Sequence, residues 1–213
     1  MKNDGRKVLA KYLIALGIVD FFRIYYGMGL IARIVLNIFK NNKNAFSIAL
    51  FLANLVIYLC FLVVFVIFYK KIKSTDERDI IVSYYMWTAI FVVLPLINLL
   101  GLGVMEQSAW QTQSMTVEFN NATGWATNML IIAVHIICMV LTGCYFRQLR
   151  FGIIGILLGI VYFIGWQESL LALTTDIALY NNIKLGTVML TGGLLIVPKF
   201  GNQDNHSSKN ISN

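Results

Sequence analysis

Charged side chains are scarce in this chain. Asp, Glu, Lys and Arg together make up 13% of its 213 residues, whereas about a quarter of the residues of a typical globular domain are charged. Proline is also rare, and only Pro95 and Pro198 occur. Most of the chain can therefore form uninterrupted helices. Both shortages argue against an ordinary soluble domain and favour helices that cross a membrane.

Cysteines and catalytic motifs are equally few. Cys60, Cys138 and Cys144 all lie in apolar runs without CxxC spacing, which predicts buried thiols, no disulfide framework and no zinc site. No GxSG serine context, HExxH helix or paired acidic motif occurs, so neither an enzyme nor a cofactor or metal site is predicted. The net charge of +7 comes without exposed aromatics interleaved among the basic residues, and nucleic acid is therefore not a predicted partner.

Long apolar runs make up most of the chain. They cover residues 8–39, 45–69, 80–105, 125–146, 151–173 and 183–197, and a bilayer crossing needs about 20 such residues. The predicted fold is all-α, a polytopic transmembrane bundle of about six membrane-spanning helices. Residues 1–200 form one integral membrane domain, and 201–213 form a short polar cytoplasmic tail. A single helix over 8–39 would extend about 48 Å, so this first segment is predicted to kink or re-enter near Gly27 and Gly29.

The basic residues lie in alternate gaps between the apolar runs. They occur at the N-terminus, between Lys70 and Arg78, and at Arg147 and Arg150, while the gap from Glu106 to Gly124 has no Lys or Arg. The positive-inside rule then predicts that both termini are cytoplasmic and that the long gap lies outside. Asn, Ile and Lys are frequent, as in many bacterial proteins, so the predicted location is a bacterial cytoplasmic membrane, with the lipid bilayer as the first partner.

A charged pair interrupts the first apolar run. Asp20 and Arg23 are three residues apart, so on a helix their side chains share a face and can offset each other's burial cost. Three interpretations stay open. The pair fixes the first helix against its neighbours, it lines a hydrated path that binds or gates a polar solute or a proton, or it lies at the membrane interface.

Polar residues form narrow seams on the other predicted helices. The candidate intramembrane polar site contains Asp20, Arg23, Asn54, Asn98, Asn128 and His135. Asn128, His135 and Thr142 recur every seven residues, which keeps them on one helix face. Thr187 and Thr191 form a similar seam on the last helix. These seams supply either interhelical hydrogen bonds or, at His135, a proton relay or ligand contact.

Three glycines define a small-residue face on the fifth predicted helix. Gly152, Gly155 and Gly159 fall on one side, and the last two form a GxxxG pattern. Such a face lets another backbone approach closely, within the chain or in a homo-oligomer.

The function predicted from these patterns is that of a small multi-pass membrane protein. It is expected to be a permease-like or substrate-binding membrane subunit of a transport system for a small polar solute or ion, acting with partner subunits or as an oligomer. The alternative is a membrane interaction protein, an assembly factor or toxin-immunity protein, without transport or catalytic activity.

Overall fold

The computed structural model describes residues 2–24, 34, 37–38, 43–93, 116–171 and 177–197, and these ranges contain helices and turns but no strand. The all-α prediction is therefore confirmed. The helices are α1 (Lys2–Phe22), α2 (Lys43–Lys73), α3 (Arg78–Thr88), α4 (Thr116–Tyr145), α5 (Leu149–Leu171) and α6 (Ile177–Ile196).

Several helices extend beyond the apolar runs. Helix α4 begins at Thr116 and α6 begins at Ile177, so part of the gap 106–124 and part of 174–182, both of which lie between apolar runs, are helical. An apolar run measures how much of a helix is hydrophobic, whereas its backbone hydrogen bonds continue through polar residues at its ends. Helix α1 ends at Phe22, and the predicted kink at Gly27 and Gly29 lies outside the described residues, as does the tail 201–213.

A wider turn interrupts the third apolar run. Helix α3 continues into a π-helical segment, Ala89–Val93. Pro95 lies four residues after Phe91 in the sequence, and it has no N–H for the carbonyl of Phe91 to accept.

Two short turns pair the helices antiparallel. Helix α4 ends in a Schellman motif, in which the Gln148 N–H donates to the Gly143 carbonyl at 2.9 Å and the Arg147 N–H donates to the Cys144 carbonyl at 3.1 Å. Arg147 takes the left-handed conformation that the motif requires, with φ of 51°. Asp76 has a similar φ of 55° in the turn between α2 and α3.

Helix α1 lies at the centre of the helix bundle. Leu9, Tyr12, Leu13 and Leu16 are fully buried, and α1 contacts α2, α3 and α6. It runs antiparallel to α6, because Arg6 binds the Leu195 carbonyl while Asp20 meets Lys184. The arrangement surrounds the first helix with later ones, so residues near the start of the chain contribute much of the core.

One end of the bundle is basic. The start of α1 lies beside the α2–α3 turn, where a Cβ on Gly5 would meet Thr75 and Ile80. The α4–α5 turn and the end of α6 lie at this same end, because the Arg150 guanidinium donates to the Leu194 and Val197 carbonyls at 2.6 Å each. Helix α6 ends at Ile196, and the last four carbonyls of a helix have no donor within the helix. The Arg150 cation also interacts favourably with the negative end of the α6 dipole.

Exposed cations cover this basic end. Lys7, Lys70, Lys71, Lys73, Arg78 and Arg147 are solvent-exposed in the bundle. Burial, together with the nearby positive charge of Arg150, lowers the pKa of the Arg6 guanidinium from its ordinary value. The residues that the positive-inside rule assigned to one side of a membrane therefore lie at one end of the structure.

Helix length and apolarity do not by themselves establish six crossings. Among the described residues, Leu55–Lys73 is the one helical stretch long and apolar enough to cross a bilayer, and Met129–Tyr145 and Leu149–Gly165 are apolar but shorter.

Candidate functional site

The buried centre of the site is the carboxylate of Asp20 on α1. Its side chain is 1% exposed, and its Oδ1 atom accepts a hydrogen bond from Arg23 Nε at 2.8 Å. The same oxygen accepts from Lys184 Nζ on α6 at 3.2 Å. The structure thus brings together the two predicted charges and adds a third, so the pair is part of a three-residue ionic cluster.

Lys184 is the site residue that sequence reasoning missed. It lies three residues before Thr187 and seven before Thr191, so all three share one face of α6. The threonine seam was recognised, and following the same helix face back by three residues from Thr187 would have reached Lys184. The cluster partner itself could not be read from the sequence, because Asp20 and Lys184 are separated by 164 positions.

The cluster carries more positive than negative charge. Within the described part of the chain, two cations, Arg23 and Lys184, share the single carboxylate of Asp20. Lys184 Nζ also lies 5.9 Å from the centre of the Tyr180 ring, a distance at which the ring face attracts a cation. The second carboxylate oxygen of Asp20, Oδ2, is buried and has no hydrogen-bond partner among the described residues. The site therefore retains both excess positive charge and an unused acceptor.

His135 lies in the same interior region. It is 1% exposed, its Nδ1 lies 2.8 Å from the Ile131 carbonyl oxygen, and it is close enough to Lys184 and Asp20 to experience their charges. With Nδ1–H donating to that carbonyl, Nε2 of the neutral ring is an acceptor. Nε2 is buried with no partner among the described residues. The histidine thus adds a second unused acceptor to this region.

Aromatic rings enclose the histidine. The Phe91 and Trp87 rings meet the imidazole edge-on, with centroids at 5.5 Å and 6.3 Å. Phe91 belongs to the π-helical segment, so the widened turn contributes one wall around His135.

Several buried hydroxyls towards the basic end are, in contrast, hydrogen-bonded. Thr142 Oγ1 accepts from Trp87 Nε1 at 3.1 Å, and Tyr12 Oη lies 2.7 Å from Thr88 Oγ1. Thr191 donates to the Thr187 carbonyl of its own helix at 2.6 Å. The Trp87–Thr142 and Tyr12–Thr88 contacts join different helices and fit the structural interpretation of the seams, whereas the Thr191 contact stays within α6.

The other three predicted polar site residues lie, wholly or with their side chains, outside the described part of the structure. Asn98 lies outside the described residues, and the side chains of Asn54 on α2 and Asn128 on α4 are likewise not described. The described site therefore contains Asp20, Arg23 and His135 from the prediction, with Lys184 added.

The glycine face of α5 divides into a packed part and an open part. A Cβ on Gly155 would lie 3.1 Å from Val140 Cγ2, and one on Gly159 would lie 3.4 Å from Ile136 Cδ1, both on α4. At Gly152 a Cβ would meet no described atom within 4 Å. Among the described residues α4 therefore covers only Gly155 and Gly159, and the close packing predicted for Gly152 stays a prediction.

Tighter glycine contacts lie between helices that the sequence did not pair. A Cβ on Gly192 of α6 would lie 3.0 Å from Ile14 Cγ1 and 3.2 Å from the Ala10 carbonyl oxygen on α1. Gly17 packs similarly against Met189. These glycines hold α1 and α6 close enough for Asp20 to reach Lys184.

The three cysteines differ in their exposure. Cys138 is buried, but Cys60 and Cys144 are exposed, so the prediction that all three are buried was wrong for two. An apolar run does not reveal which side of its helix faces outwards. Among the described residues, no group of three or more His, Cys, Asp or Glu side chains is arranged to hold a metal ion.

Comparison with protein families, curated proteins and solved structures found no match to this chain.

Proposed function

We propose that this chain is a multi-pass protein of the cell membrane. The supporting observation is an inverted distribution of polarity in the described bundle. Large apolar side chains are exposed along α2, α4 and α5, with Val56, Val66, Leu130 and Ile156 each more than 60% exposed. Charged and polar groups, including Asp20, lie inside. Exposed apolar surface on this scale would be unfavourable in water and favourable in lipid.

The basic end supports an orientation. In the proposed topology this end faces the cytoplasm, where lysine and arginine are enriched next to membrane helices. Lys184 lies thirteen residues before Val197 at the basic end, about 20 Å along the helix axis. The ionic cluster would then lie about two thirds of the way across a hydrocarbon core that is about 30 Å thick.

Impermeant maleimide labelling tests this topology. Single cysteines at Ser74, in the turn at the basic end, and at Ser108, in the predicted outer gap, are introduced after Cys60, Cys138 and Cys144 are replaced by alanine. We expect Ser108→Cys to react in intact cells and Ser74→Cys to react only after permeabilisation. Reaction of Ser74→Cys but not Ser108→Cys in intact cells would reverse the orientation, and equal reaction of both would contradict a membrane-separated arrangement.

We further propose that the chain is a permease-like or substrate-binding subunit for a small polar solute or ion. The supporting observation is the Asp20–Arg23–Lys184 cluster with its unused buried acceptor. A purely structural ion pair needs one partner for each charge, whereas this cluster has an unmatched cation and an unmatched oxygen. Ionisable groups at such depth are costly, and they commonly mark solute or proton paths.

Swelling of reconstituted vesicles tests transport across several solute classes side by side. Proteoliposomes containing the full chain are placed in isosmotic solutions of small carboxylates, amino acids, sugars or salts, and swelling is followed by light scattering. We expect one solute class to enter faster than through protein-free vesicles, and Lys184→Met to abolish the difference. Lys70→Met is the matched control, because Lys70 is exposed at the basic end. Swelling that Lys184→Met does not change would show that the cluster is not part of the solute path.

The open part of the α5 glycine face favours the second candidate, a membrane interaction protein. Gly152 meets no described neighbour, and Ile153 and Ile156 beside it are 52% and 62% exposed, so this surface could pack against a helix of another protein. Gentle-detergent purification tests this candidate. A stoichiometric membrane partner that Gly152→Leu releases would support it, and a chain that purifies alone would count against it.

A further inference from the structure

We propose that the Asp20–Arg23–Lys184 cluster binds a small hydroxycarboxylate, a monoanion that carries one carboxylate and one hydroxyl group. This inference rests on the proposed function and names the solute class for the same site. It follows from two unmatched features of the described residues: one excess positive charge and one buried carboxylate oxygen without a donor.

The charge balance specifies an anion. Asp20 neutralises only one of the two cations that bind its Oδ1 atom. An unpaired cation in a protein interior is strongly destabilising, and more so within a bilayer. A ligand with a single negative charge makes the cluster neutral, whereas a cation or a neutral solute would leave the excess charge in place.

The donor groups suit a carboxylate. Arg23 presents a planar guanidinium and Lys184 an ammonium group with three donors, and each uses one donor on Asp20. Guanidinium groups match the two oxygens of a carboxylate in forked geometry, while an ammonium adds a compact point charge. Arg23 is the more accessible partner, with 28% of its side chain exposed, so the ligand would approach from the Arg23 side.

The unused acceptors specify the hydroxyl group. Asp20 Oδ2 lacks a donor among the described residues, and it belongs to a carboxylate that is 1% exposed. A buried acceptor without a donor is unfavourable, and a simple carboxylate ligand brings no hydrogen to donate. A hydroxyl on the carbon next to the ligand carboxylate can donate to Oδ2 while the carboxylate accepts from the cations. His135 Nε2 is a second unused acceptor in the same region.

Thermal melting of the full chain in detergent tests this proposal with a matched pair of ligands. The protein is kept in a buffer with a bulky sulfonate anion, and sodium glycolate or sodium acetate is titrated at constant sodium concentration. We expect glycolate to raise the melting temperature saturably, with an apparent Kd about tenfold lower than that of acetate, because one additional hydrogen bond to a charged group contributes roughly that factor. Equal effects of the two anions would overturn the hydroxyl assignment, and no saturable effect of either would overturn the site.

Substitutions with opposite charge effects separate ligand binding from a structural role. Lys184→Met removes the excess charge and should weaken glycolate binding at least tenfold. Asp20→Asn increases the excess charge, so this variant should melt at lower temperature without anion and be rescued by glycolate or acetate. An Asp20→Asn variant that no anion rescues would contradict the proposal. If it fails to fold, Arg23→Gln is the second variant, and unchanged glycolate affinity there would also contradict it. Lys70→Met should bind glycolate as the native chain does.

The binding and swelling assays fail independently. Glycolate binding with this charge dependence, but no solute entry into vesicles, would retain the hydroxycarboxylate site and remove transport. Cluster-dependent swelling in a sugar or a salt, without glycolate binding, would retain transport and overturn the solute class.

Discussion

Removing Asp20 and Arg23 together should leave the protein markedly less stable, because the structure adds Lys184 to their ion pair. In the double variant Asp20→Leu with Arg23→Leu, Lys184 loses its carboxylate partner while 90% of its side chain remains buried. If the two charges formed an isolated pair, the same double substitution would be nearly neutral, since apolar replacement of a buried ion pair is often tolerated.

The cost follows from the chemistry of an unpaired lysine. The least costly escape for Lys184 is to lose its proton, and at pH 7.4, about three units below the ordinary pKa of a lysine, deprotonation costs about 4 kcal/mol. For a chain of this size, that loss lowers the melting temperature by roughly 8–16 °C. Adding Lys184→Met to the double variant removes the last charge and should return melting to within a few degrees of the native chain.

The melting temperature is measured for four purified proteins in detergent and sulfonate buffer: the native chain, the double variant, the triple variant and Lys184→Met alone. Sulfonate is chosen because a small anion could partner Lys184 and conceal the loss. A double variant that melts with the native chain would refute the role of Lys184. A triple variant that melts no higher than the double would show that the apolar replacements themselves disrupt packing.

Two further predictions follow from the packing. Gly192→Leu should lower the melting temperature strongly and abolish glycolate binding, because the leucine side chain would collide with Ile14 and the Ala10 carbonyl and separate α1 from α6. Gly152→Leu is the control and should melt as the native chain does, because no described atom lies near it. Similar melting of the two variants would contradict the α1–α6 contact. Tyr12→Phe removes only the buried hydroxyl that meets Thr88 and should cost about 1 kcal/mol in the free energy of unfolding, with Tyr145→Phe, an exposed position, as the control that should show no loss.

Local patterns predicted the helices because hydrogen bonding within a helix is local. The absence of proline from most of the chain and the long apolar runs indicated where helices lie, and the seven-residue spacing of His135 and Thr142 predicted that both would be buried together, as they are. The first residues of α4 and α6 were not predictable from apolarity, because polar residues at a helix terminus continue the backbone hydrogen bonds without extending the apolar run.

The glycines illustrate the limit of a pattern on one helix. Gly155 and Gly159 were recognised from their GxxxG spacing. Gly192 makes a closer contact, but it is not part of a GxxxG pattern, and the atoms that it contacts are on α1. Whether a small residue matters depends on what lies opposite it. That information is absent from the helix on which the residue occurs.

The sequence by itself determined the all-helical class, the alternation of basic gaps and the pairing of Asp20 with Arg23, because each of these depends on residues close together in the chain. Only the tertiary structure decided that α1 is central and antiparallel to α6, that Lys184 joins the cluster, and that two cations share one carboxylate. The physical reason is that burial and charge pairing depend on neighbours in space, and the residue that completes this site is 164 positions from the one it binds.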